Sequence, residues 1–486
     1  MDKLFGQRGA LAFVLLLTVW HLYLSASLQL HPDEAYYWLW SRKLDIGYYD
    51  HSPLVAYFIW FTTLLSKSEI WVRLSGTIVT LLLSYMTWRL CLQLFGSIRI
   101  AAASVMMFNV YPMTMMGMIV MTPDIPLILF SALSIHLFWQ ALHSDNTWLW
   151  YALGTSFGLA LLSKYTAILL LPCFFLYLLL TEDRRWLKTI HPYLAALIGV
   201  LFFTPVVYWN SQHNWVSFAF QFGHGLGGQS YSIDRVVDYI AGQLLLVGPL
   251  TWLLGIYACA AWIFRKDKRY LFLILTSLPI ILFFGISSLK KLAGPNWPAF
   301  AYFTFSILLT KHFLDSPSRM KRLLWYAAFT TSLLLSAIIT IHARYSVIPL
   351  ASISKEAAIA DTTNAFYGWR ELGAELNKYP ELKFALSHSH QLSAEITYYT
   401  YENIVVQADP GARYSQYNLW SWPGNLRESS SFYVWDHAGA AGPYEQFFKS
   451  SPHQDSLIIF RGITAIRAYS IMHIQNSLLP PSSVQR

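Results

Sequence analysis

The sequence predicts a polytopic α-helical membrane protein with a small soluble α/β domain at its C-terminal end. Of the 486 residues, 55% are hydrophobic and only 12% are charged, about half the charged fraction of a soluble protein. Apolar runs of about 20 residues recur along most of the chain, and a helix of that length crosses the hydrocarbon core of a bilayer. The composition therefore argues against an ordinary soluble enzyme.

About eleven apolar segments are predicted to span the membrane. They lie at residues 10–30, 70–95, 100–119, 124–142, 148–163, 165–180, 191–209, 241–264, 270–288, 295–312 and 322–343. The pair 148–163 and 165–180 is either two short spans around Lys164 or one bent element. The apolar segment 53–65 is too short to span, and we interpret it, with 33–43, as a helix at the membrane interface.

Lysines and arginines collect in alternate loops, which the positive-inside rule assigns to the cytoplasm. These loops hold Lys3 and Arg8; Arg89 and Arg99; Arg184, Arg185 and Lys188; Arg265, Lys266, Lys268 and Arg269; and Lys311, Arg319, Lys321 and Arg322. The N-terminus is then cytoplasmic and its first helix uncleaved. The remaining loops lie outside, in the periplasm of a Gram-negative inner membrane, and they comprise 31–69, 120–123, 210–240, 289–294 and everything after 343.

The composition changes after about residue 344, where polar residues and turn signals return. Short β-type runs at 403–406, 431–434 and 457–460 alternate with helical stretches such as 367–378. We therefore predict a transmembrane module at 1–343, with outer juxtamembrane helices at about 31–69, and an extracytoplasmic α/β domain at 344–486. The role of that domain is left open.

Two adjacent carboxylates, Asp33 and Glu34, follow the first apolar run beside the aromatic block 36–40. One interpretation is helix capping, because Pro32 and acids in a first turn suit a helix start. The other is catalysis, because a carboxylate at a desolvated interface can take a proton from an attacking hydroxyl. Tyr36 and Tyr37 either anchor the loop at the interface or stack on a sugar.

Asp50 and His51 form a second pair that either caps the helix after Pro53 or contacts a metal or a phosphate. Asp124 starts a span on the same predicted outer side, where it is either a capping acid or part of the same site. His224 lies in the glycine-rich stretch 221–228, which allows close approach of the backbone to a ligand.

Three lysines are candidates for contact with a lipid phosphate. Lys164 interrupts an apolar stretch, and its alternative role is that of a snorkelling lysine. Lys290 and Lys291 lie in a predicted outer loop, against the positive-inside bias. Cations in these positions would suit a phosphate at the membrane surface.

The sequence contains no P-loop, no dinucleotide-binding glycine fingerprint and no HExxH zinc motif. Nucleotide-linked donors are cytoplasmic, whereas the candidate residues are predicted to be outside. A transferase of this topology would therefore use no nucleotide cofactor, and its donor would be a lipid-linked molecule whose phosphate leaves. Nothing in the sequence points to nucleic acid as a partner.

These residues resemble the bacterial branch of the protein O-mannosyltransferase-like superfamily, and in particular the aminoarabinose transferases that modify lipid A. The segments that carry the resemblance are 33–41, 47–55, 122–124, 161–166, 209–215, 220–225, 296–299 and 367–372. The resemblance covers nearly the whole chain in the same order. It implies a GT-C-type inverting glycosyltransferase that uses a polyprenyl-phosphate sugar such as an undecaprenyl-phosphate sugar.

The resemblance also implies roles for individual residues. It makes Asp33 the catalytic carboxylate, with Glu34 beside it, and it makes Asp124 the second outer-loop acid. Lys164 matches a lysine that the family has near its active site. Asp50 and His224 match positions that bind a divalent metal.

Two departures separate this chain from the aminoarabinose enzymes. His51 stands where those enzymes have a lysine, and histidine is only partly charged at neutral pH. Tyr36 or Tyr37 stands where they have an arginine. The resemblance therefore does not support aminoarabinose as the sugar, and it leaves open whether the acceptor is lipid A, another glycolipid, a glycan or a protein.

Two further functions stay open at this point. One is a flippase or transporter of lipid-linked sugars, whose outer acids bind without reacting, although the repeats typical of transporters are not evident. The other is a glycan polymerase or ligase, against which the Asp33-Glu34 motif argues.

Overall fold

The computed structural model describes residues 5–226, 230–262, 267–379, 383–408, 413–420, 431–436 and 454–474. Within helices and strands, the side chains of 224–226, 431, 454 and 473–474 are outside this description. Contacts divide the chain into two compact units. Met1–Ala26 and Leu44–Thr340 form the first, here called the helical unit, and Ser27–Lys43 with Ile341–Arg486 form the second, here called the sheet unit.

Twenty α-helices occur in the described residues. In chain order, α1 to α20 are Gln7–Ser27, Pro32–Arg42, Leu54–Thr62, Glu69–Phe95, Ile98–Asn109, Asp124–Leu142, Trp148–Ser163, Leu170–Leu180, His191–Gln212, Val216–Leu226, Asp234–Val247, Pro249–Trp262, Lys268–Leu275, Leu278–Ser287, Tyr302–Leu314, Arg319–Tyr345, Leu350–Ile353, Lys355–Ile359, Trp369–Leu376 and His390–Tyr399. Shorter 3₁₀ turns include Tyr165–Leu169 and Glu182–Lys188, and Met113–Gly117 is π-helical.

The predicted multi-span helical architecture is confirmed. In the described part of the chain, six helices are long and apolar enough to cross a membrane, or up to eight if two bent pairs each count as one span. The remaining predicted spans coincide with three shorter apolar helices, Ile98–Asn109, Trp148–Ser163 and Ala299–Leu314. The segment 100–119 is not a continuous helix, because α5 ends at Asn109 and a π-helical turn follows.

The predicted span at 241–264 is bent, because α11 and α12 meet at an angle of 105°. The break falls at Gly248, whose φ of +105° favours glycine. Pro249 then begins the next helix without needing a backbone donor. A Cβ on Gly248 would also lie only 2.2 Å from the hydroxyl of Ser332, so the bend depends on the absence of a side chain there.

The two alternatives for 148–180 are also resolved. The chain forms two helices, α7 and α8, because Lys164 adopts an extended conformation (φ −158°, ψ 139°) directly after α7. The 3₁₀ turn Tyr165–Leu169 then leads into α8. This break places the Lys164 side chain at the end of a helix rather than along its side.

The sheet unit contains a five-stranded mixed sheet of order β2-β1-β3-β5-β4. The strands β1 to β5 are Phe384–Ser387, Val405–Ala408, Ser431–Trp435, Gln454–Arg461 and Thr464–Ile474. β1 pairs in parallel with β2 and β3, whereas β5 pairs antiparallel with β3 and β4. Its apolar core includes Phe384, Leu386, Tyr433 and Met472. The small C-terminal α/β fold is therefore confirmed.

Arg461, the last residue of β4, binds a polar cluster in the sheet unit. Its guanidinium donates to Asp361 Oδ2 at 2.8 Å and to the His342 carbonyl at 2.6 Å, and it stacks on Tyr367 at 4.2 Å. His342 Nε2 lies 2.9 Å from the same Asp361 oxygen. Burial opposes ionisation of Asp361, yet hydrogen bonds from Thr363 and His342 and the charge of Arg461 hold its pKa below the usual value.

Candidate functional site

Asp124 and Lys164 form a buried ion pair in the helical unit. Lys164 Nζ donates to Asp124 Oδ1 at 2.8 Å, and the two side chains are only 7% and 10% exposed. Lys164 therefore does not snorkel toward water. Because a buried ion pair is often no more stabilising than a well-packed apolar pair, the pair is weak evidence for stability and better evidence for a site.

The local structure explains why these two side chains meet. Pro123 precedes α6, so Asp124 lies in the first helical turn, where the helix dipole favours a carboxylate. Lys164 follows the last residue of α7, and α6 packs along α7. The predicted capping role of Asp124 and its predicted site role are therefore compatible.

Asn296 completes this group, which is here called the Asp124 cluster and consists of Asp124, Lys164 and Asn296. The Asn296 amide Nδ2 lies 2.5 Å from Asp124 Oδ2, so both carboxylate oxygens have a donor. Asn296 is itself exposed. An ammonium group has three N–H donors, of which Asp124 takes one. The cluster thus presents a cation and an amide that can bind an anionic group.

A second group of predicted residues meets at α10 in the helical unit. The Gln221 amide on α10 donates to the Asp50 carbonyl and lies 3.4 Å from His51 Nδ1. Lys291 Nζ lies 3.4 Å from the Gly223 carbonyl on the same helix. The Tyr165 hydroxyl, next to Lys164 in the chain, is 2.8 Å from the Ser217 hydroxyl on α10.

This helix also carries His224, whose side chain lies outside the described residues. Lys290 is exposed, and its ammonium lies 5.7 Å from the centre of the Tyr231 ring. The structure thus places His51 and Lys291 against α10, and Lys290 against Tyr231.

In the sheet unit, α2 begins with a capping box built on His31 and Glu34. The His31 backbone N–H donates to Glu34 Oε2 at 2.9 Å, and the Asp33 N–H donates to His31 Nδ1 at 3.2 Å. Glu34 is fully buried. The capping interpretation therefore describes what Glu34 does in this structure, and its catalytic role stays a prediction.

Asp33 differs from Glu34, because its carboxylate is 40% exposed. Asp33 Oδ1 accepts a hydrogen bond from the Gln391 amide on α20 at 2.8 Å, while Oδ2 lies 3.9 Å from His31 Nδ1. One oxygen is therefore held in place by a neutral donor, and the carboxylate remains accessible. This is a suitable arrangement for a general base.

Tyr36 and Tyr37 are buried in the sheet unit, at 2% and 7% exposure. The Tyr36 hydroxyl accepts from the Gln416 backbone N–H at 2.7 Å, and its ring lies 4.7 Å from His390. Burial, followed by the charge of Arg413, lowers the pKa of His390 to about 4, although Asp33 acts in the opposite direction. The two tyrosines are therefore buried packing residues of the sheet unit, and their predicted contact with the sugar donor stays a prediction.

Comparison with known proteins finds similarity to several membrane glycosyltransferases. The model of the dolichyl-phosphate-mannose-protein mannosyltransferase family matches residues 50–209, which include Asp50, Asp124 and Lys164. A solved structure of ArnT from Cupriavidus metallidurans bound to undecaprenyl phosphate superposes over 95% of this chain and 97% of that chain, with a TM-score of 0.68 and 15% identity. The chain therefore shares the GT-C-type membrane fold of ArnT.

Two other similar proteins extend this comparison. The chain is 26% identical over 310 residues to the lipid A galacturonosyltransferase RgtD of Rhizobium johnstonii, a match that covers 62% of this chain and 65% of that relative. The oligosaccharyltransferase of Archaeoglobus fulgidus has a TM-score of 0.52 at 12% identity, over 83% of this chain and 65% of that one. The predicted GT-C-type fold is confirmed by the match to ArnT along nearly the whole chain.

The donor set for the predicted metal does not assemble from the described side chains. No group of three or more His, Cys, Asp or Glu residues that could hold a metal occurs among them. Of the predicted ligands, Asp50 is described and is 4% exposed, whereas the side chain of His224 is not described. We therefore assign no chemical step to a metal in this protein.

Sequence reasoning missed three neutral amides as site residues. Gln221 and Asn296 lie inside segments that carry the resemblance, so that signal was available. Gln391 lies far along the chain from Asp33, and only the packing of α20 on α2 brings them together. Nothing in the sequence around Gln391 predicts this contact.

Proposed function

We propose that this GT-C protein is an inverting glycosyltransferase that moves a sugar from undecaprenyl phosphate, or a similar polyprenyl phosphate, to lipid A or another periplasmic acceptor. The observation that carries the proposal is the buried Asp124–Lys164 pair with Asn296, within a fold that matches ArnT along nearly its full length. The solved ArnT structure contains undecaprenyl phosphate, which supports a lipid-linked donor, and RgtD is a lipid A galacturonosyltransferase, which supports a lipid A acceptor. We place the enzyme in the inner membrane, with its N-terminus in the cytoplasm and the Asp124 cluster and sheet unit in the periplasm.

In the proposed reaction, the acceptor hydroxyl oxygen attacks the anomeric carbon of the sugar. The bond between that carbon and the phosphate oxygen breaks, and polyprenyl phosphate leaves. The resemblance assigns Asp33 as the base that takes the hydroxyl proton, and its exposed carboxylate, held by Gln391, supports this role. Attack from the face opposite to the phosphate inverts the anomeric configuration.

Charge accumulates on the departing phosphate during this reaction, and a cation beside it stabilises that charge. Lys164 is the described residue best suited to this task, because Asp124 fixes its ammonium and leaves two N–H donors available. We propose that His51, Lys290 and Lys291 add further contacts to the phosphate. The predicted metal at Asp50 and His224 would add a positive charge there, and it remains a proposal.

The decisive experiment is single-turnover transfer by the purified protein from a panel of undecaprenyl-phosphate sugars, including galacturonic acid and aminoarabinose. Wild type is compared with Asp33→Asn, and the matched control is Glu356→Gln, since Glu356 is an exposed acid in the first turn of α18. We expect wild type and the control to transfer one of the sugars, and Asp33→Asn to lose more than about a hundredfold in rate.

Two results would contradict the proposal. A loss of less than about tenfold in a well-expressed Asp33→Asn variant would remove Asp33 from the role of base. Movement of intact lipid-linked sugar across a vesicle membrane, without consumption of any donor, would show that the protein is a flippase.

A further inference from the structure

The helical unit contains an apolar cavity well separated from the Asp124 cluster. Its volume is about 240 Å³, and its walls come from α6, α7, α8, α9 and the 3₁₀ turn Glu182–Lys188. Phe138 on α6 is one wall residue, and it lies about 20 Å along that helix from Asp124. An apolar cavity of about 150 Å³ already admits benzene, so this one has room for part of a hydrocarbon chain.

The walls of the cavity are aromatic and aliphatic. Phe138 stacks on Phe174 with ring centres 4.3 Å apart, and Trp150 lies beside the 3₁₀ turn, with its ring 5.2 Å from that of Trp186. Phe175, another wall residue, is 52% exposed on the outer surface of the unit. Phe175 lies on α8, and two other helices of the cavity wall, α6 and α9, are long and apolar enough to cross a bilayer, so we expect this exposed apolar surface to face lipid.

Cations adjoin the cavity on the turn Glu182–Lys188. Leu187 in this turn is a wall residue, and Arg184 shares its edge, because residues three apart are eclipsed in a 3₁₀ helix. Arg185 and Lys188 share a second edge by the same rule. All three cations are exposed, against one exposed carboxylate at Glu182.

The turn is held firmly against the cavity. The Tyr193 hydroxyl on α9 donates to the Leu187 carbonyl at 2.8 Å. Asp183, the other acid of the turn, is buried at 4% exposure and so does not oppose the cations at the surface. Trp150 is 2% exposed, and its indole N–H has no acceptor among the described residues. A lipid ester or phosphate oxygen would provide one.

We propose that this cavity, with Arg184, Arg185 and Lys188, is a binding site for an anionic phospholipid. The acyl chain occupies the cavity, and the head-group phosphate binds the three cations, of which Arg184 shares a helix edge with the wall residue Leu187. The site is separate from the proposed transfer chemistry and does not depend on it. Its physical basis is the pairing of a lipid-facing apolar cavity with adjacent exposed cations.

The test is native mass spectrometry of the full-length protein from micelles that contain equal amounts of phosphatidylglycerol and phosphatidylcholine. Each cation near an anionic lipid contributes about a fivefold gain in affinity. We therefore expect wild type to retain phosphatidylglycerol, and the triple variant Arg184→Ser, Arg185→Ser, Lys188→Ser to bind it about a hundredfold more weakly. The control is Lys268→Ser with Arg319→Ser, which removes two exposed cations elsewhere and should change nothing.

A second variant, Ala196→Phe, fills the cavity from α9 and should reduce retention of both lipids. Equal retention of the two lipids by wild type would refute the proposal, as would normal retention of phosphatidylglycerol by Ala196→Phe. An Ala196→Phe variant that keeps phosphatidylglycerol but shows a higher KM for a long-chain donor would instead assign the cavity to the polyprenyl tail. If Ala196→Phe does not fold, the triple variant decides alone, because its substitutions are on the surface.

Discussion

The buried Asp124–Lys164 pair allows stability and function to be separated by three variants: Asp124→Asn, Lys164→Met and the double variant. At 2.8 Å and an effective dielectric constant of about 20, the two charges attract each other by about 6 kcal/mol. Loss of hydration offsets much of this attraction. Each single variant leaves one charge buried without its partner, which costs about 3–5 kcal/mol.

The double variant leaves no charge in the pair and keeps an acceptor for the Asn296 amide. Its cost should therefore be well below the sum of the two single costs, with a coupling energy of about 3 kcal/mol. The measurement is thermal unfolding in detergent, followed by size-exclusion chromatography. The matched control is the partly exposed pair Lys311 and Asp315, whose coupling should be below about 1 kcal/mol.

Transfer activity in the same variants tests the proposed role of Lys164. If its ammonium stabilises the departing phosphate, the double variant is stable but inactive, because no cation remains at that position. Full recovery of transfer in the double variant would show that the pair is only structural. Additive losses of stability would refute the reasoning about the buried charges.

Four further predictions follow from the geometry. Gln391→Leu should lower the rate of transfer about tenfold and leave the KM for the sugar donor unchanged, because the Asp33 carboxylate loses the hydrogen bond that orients it. Normal rates of transfer would show that Gln391 has no positioning role. The pKa of His390 is about 4 in the folded protein, against about 6.5 in the unfolded protein. The unfolded state therefore binds the extra proton first as the pH falls. We expect the sheet unit to lose up to about 3 kcal/mol of stability between pH 7 and pH 4. Hydrogen exchange of the full-length protein should show this loss, and His390→Phe should reduce it. Arg461→Met should destabilise the sheet unit by about 3–5 kcal/mol, measured by the same exchange, because it leaves Asp361 buried without its cation. Finally, chelation should slow transfer and added Mg²⁺ or Mn²⁺ should restore it if Asp50 and His224 hold a metal; unchanged rates would remove the metal from the proposal.

The helical architecture could be predicted from the sequence because the length and composition of an apolar run reflect the thickness of a bilayer directly. The bend at Gly248 could not be predicted in this way, since both α11 and α12 are apolar and only the conformation of Gly248 reveals the change of direction. The break at Lys164 had a signal, a charged residue in an apolar run, which left two alternatives. The extended backbone of Lys164 decides between them.

The candidate site was predictable where function requires ionisable side chains and less so where it requires neutral ones. Asp33, Asp124 and Lys164 stand out in apolar surroundings, because an unpaired charge there is costly. Asn296 and Gln391 do not stand out, since amides are common in loops and on helices. Glu34 shows the opposite limitation, because adjacent carboxylates look alike in sequence, whereas one of them closes a capping box and the other is exposed.

Neutral amides suit these positions for a physical reason. A carboxylate that serves as a base must keep its affinity for a proton, and a lysine or arginine on its oxygen would reduce that affinity. A hydrogen bond from an amide to a charged group contributes about 1.5–3 kcal/mol and fixes the carboxylate without adding a positive charge. Gln391 does this for Asp33, whereas Asp124 has both an amide and a cation. Since Asp124 pairs with Lys164, the contribution that we propose for it is to hold the lysine ammonium in place for the departing phosphate.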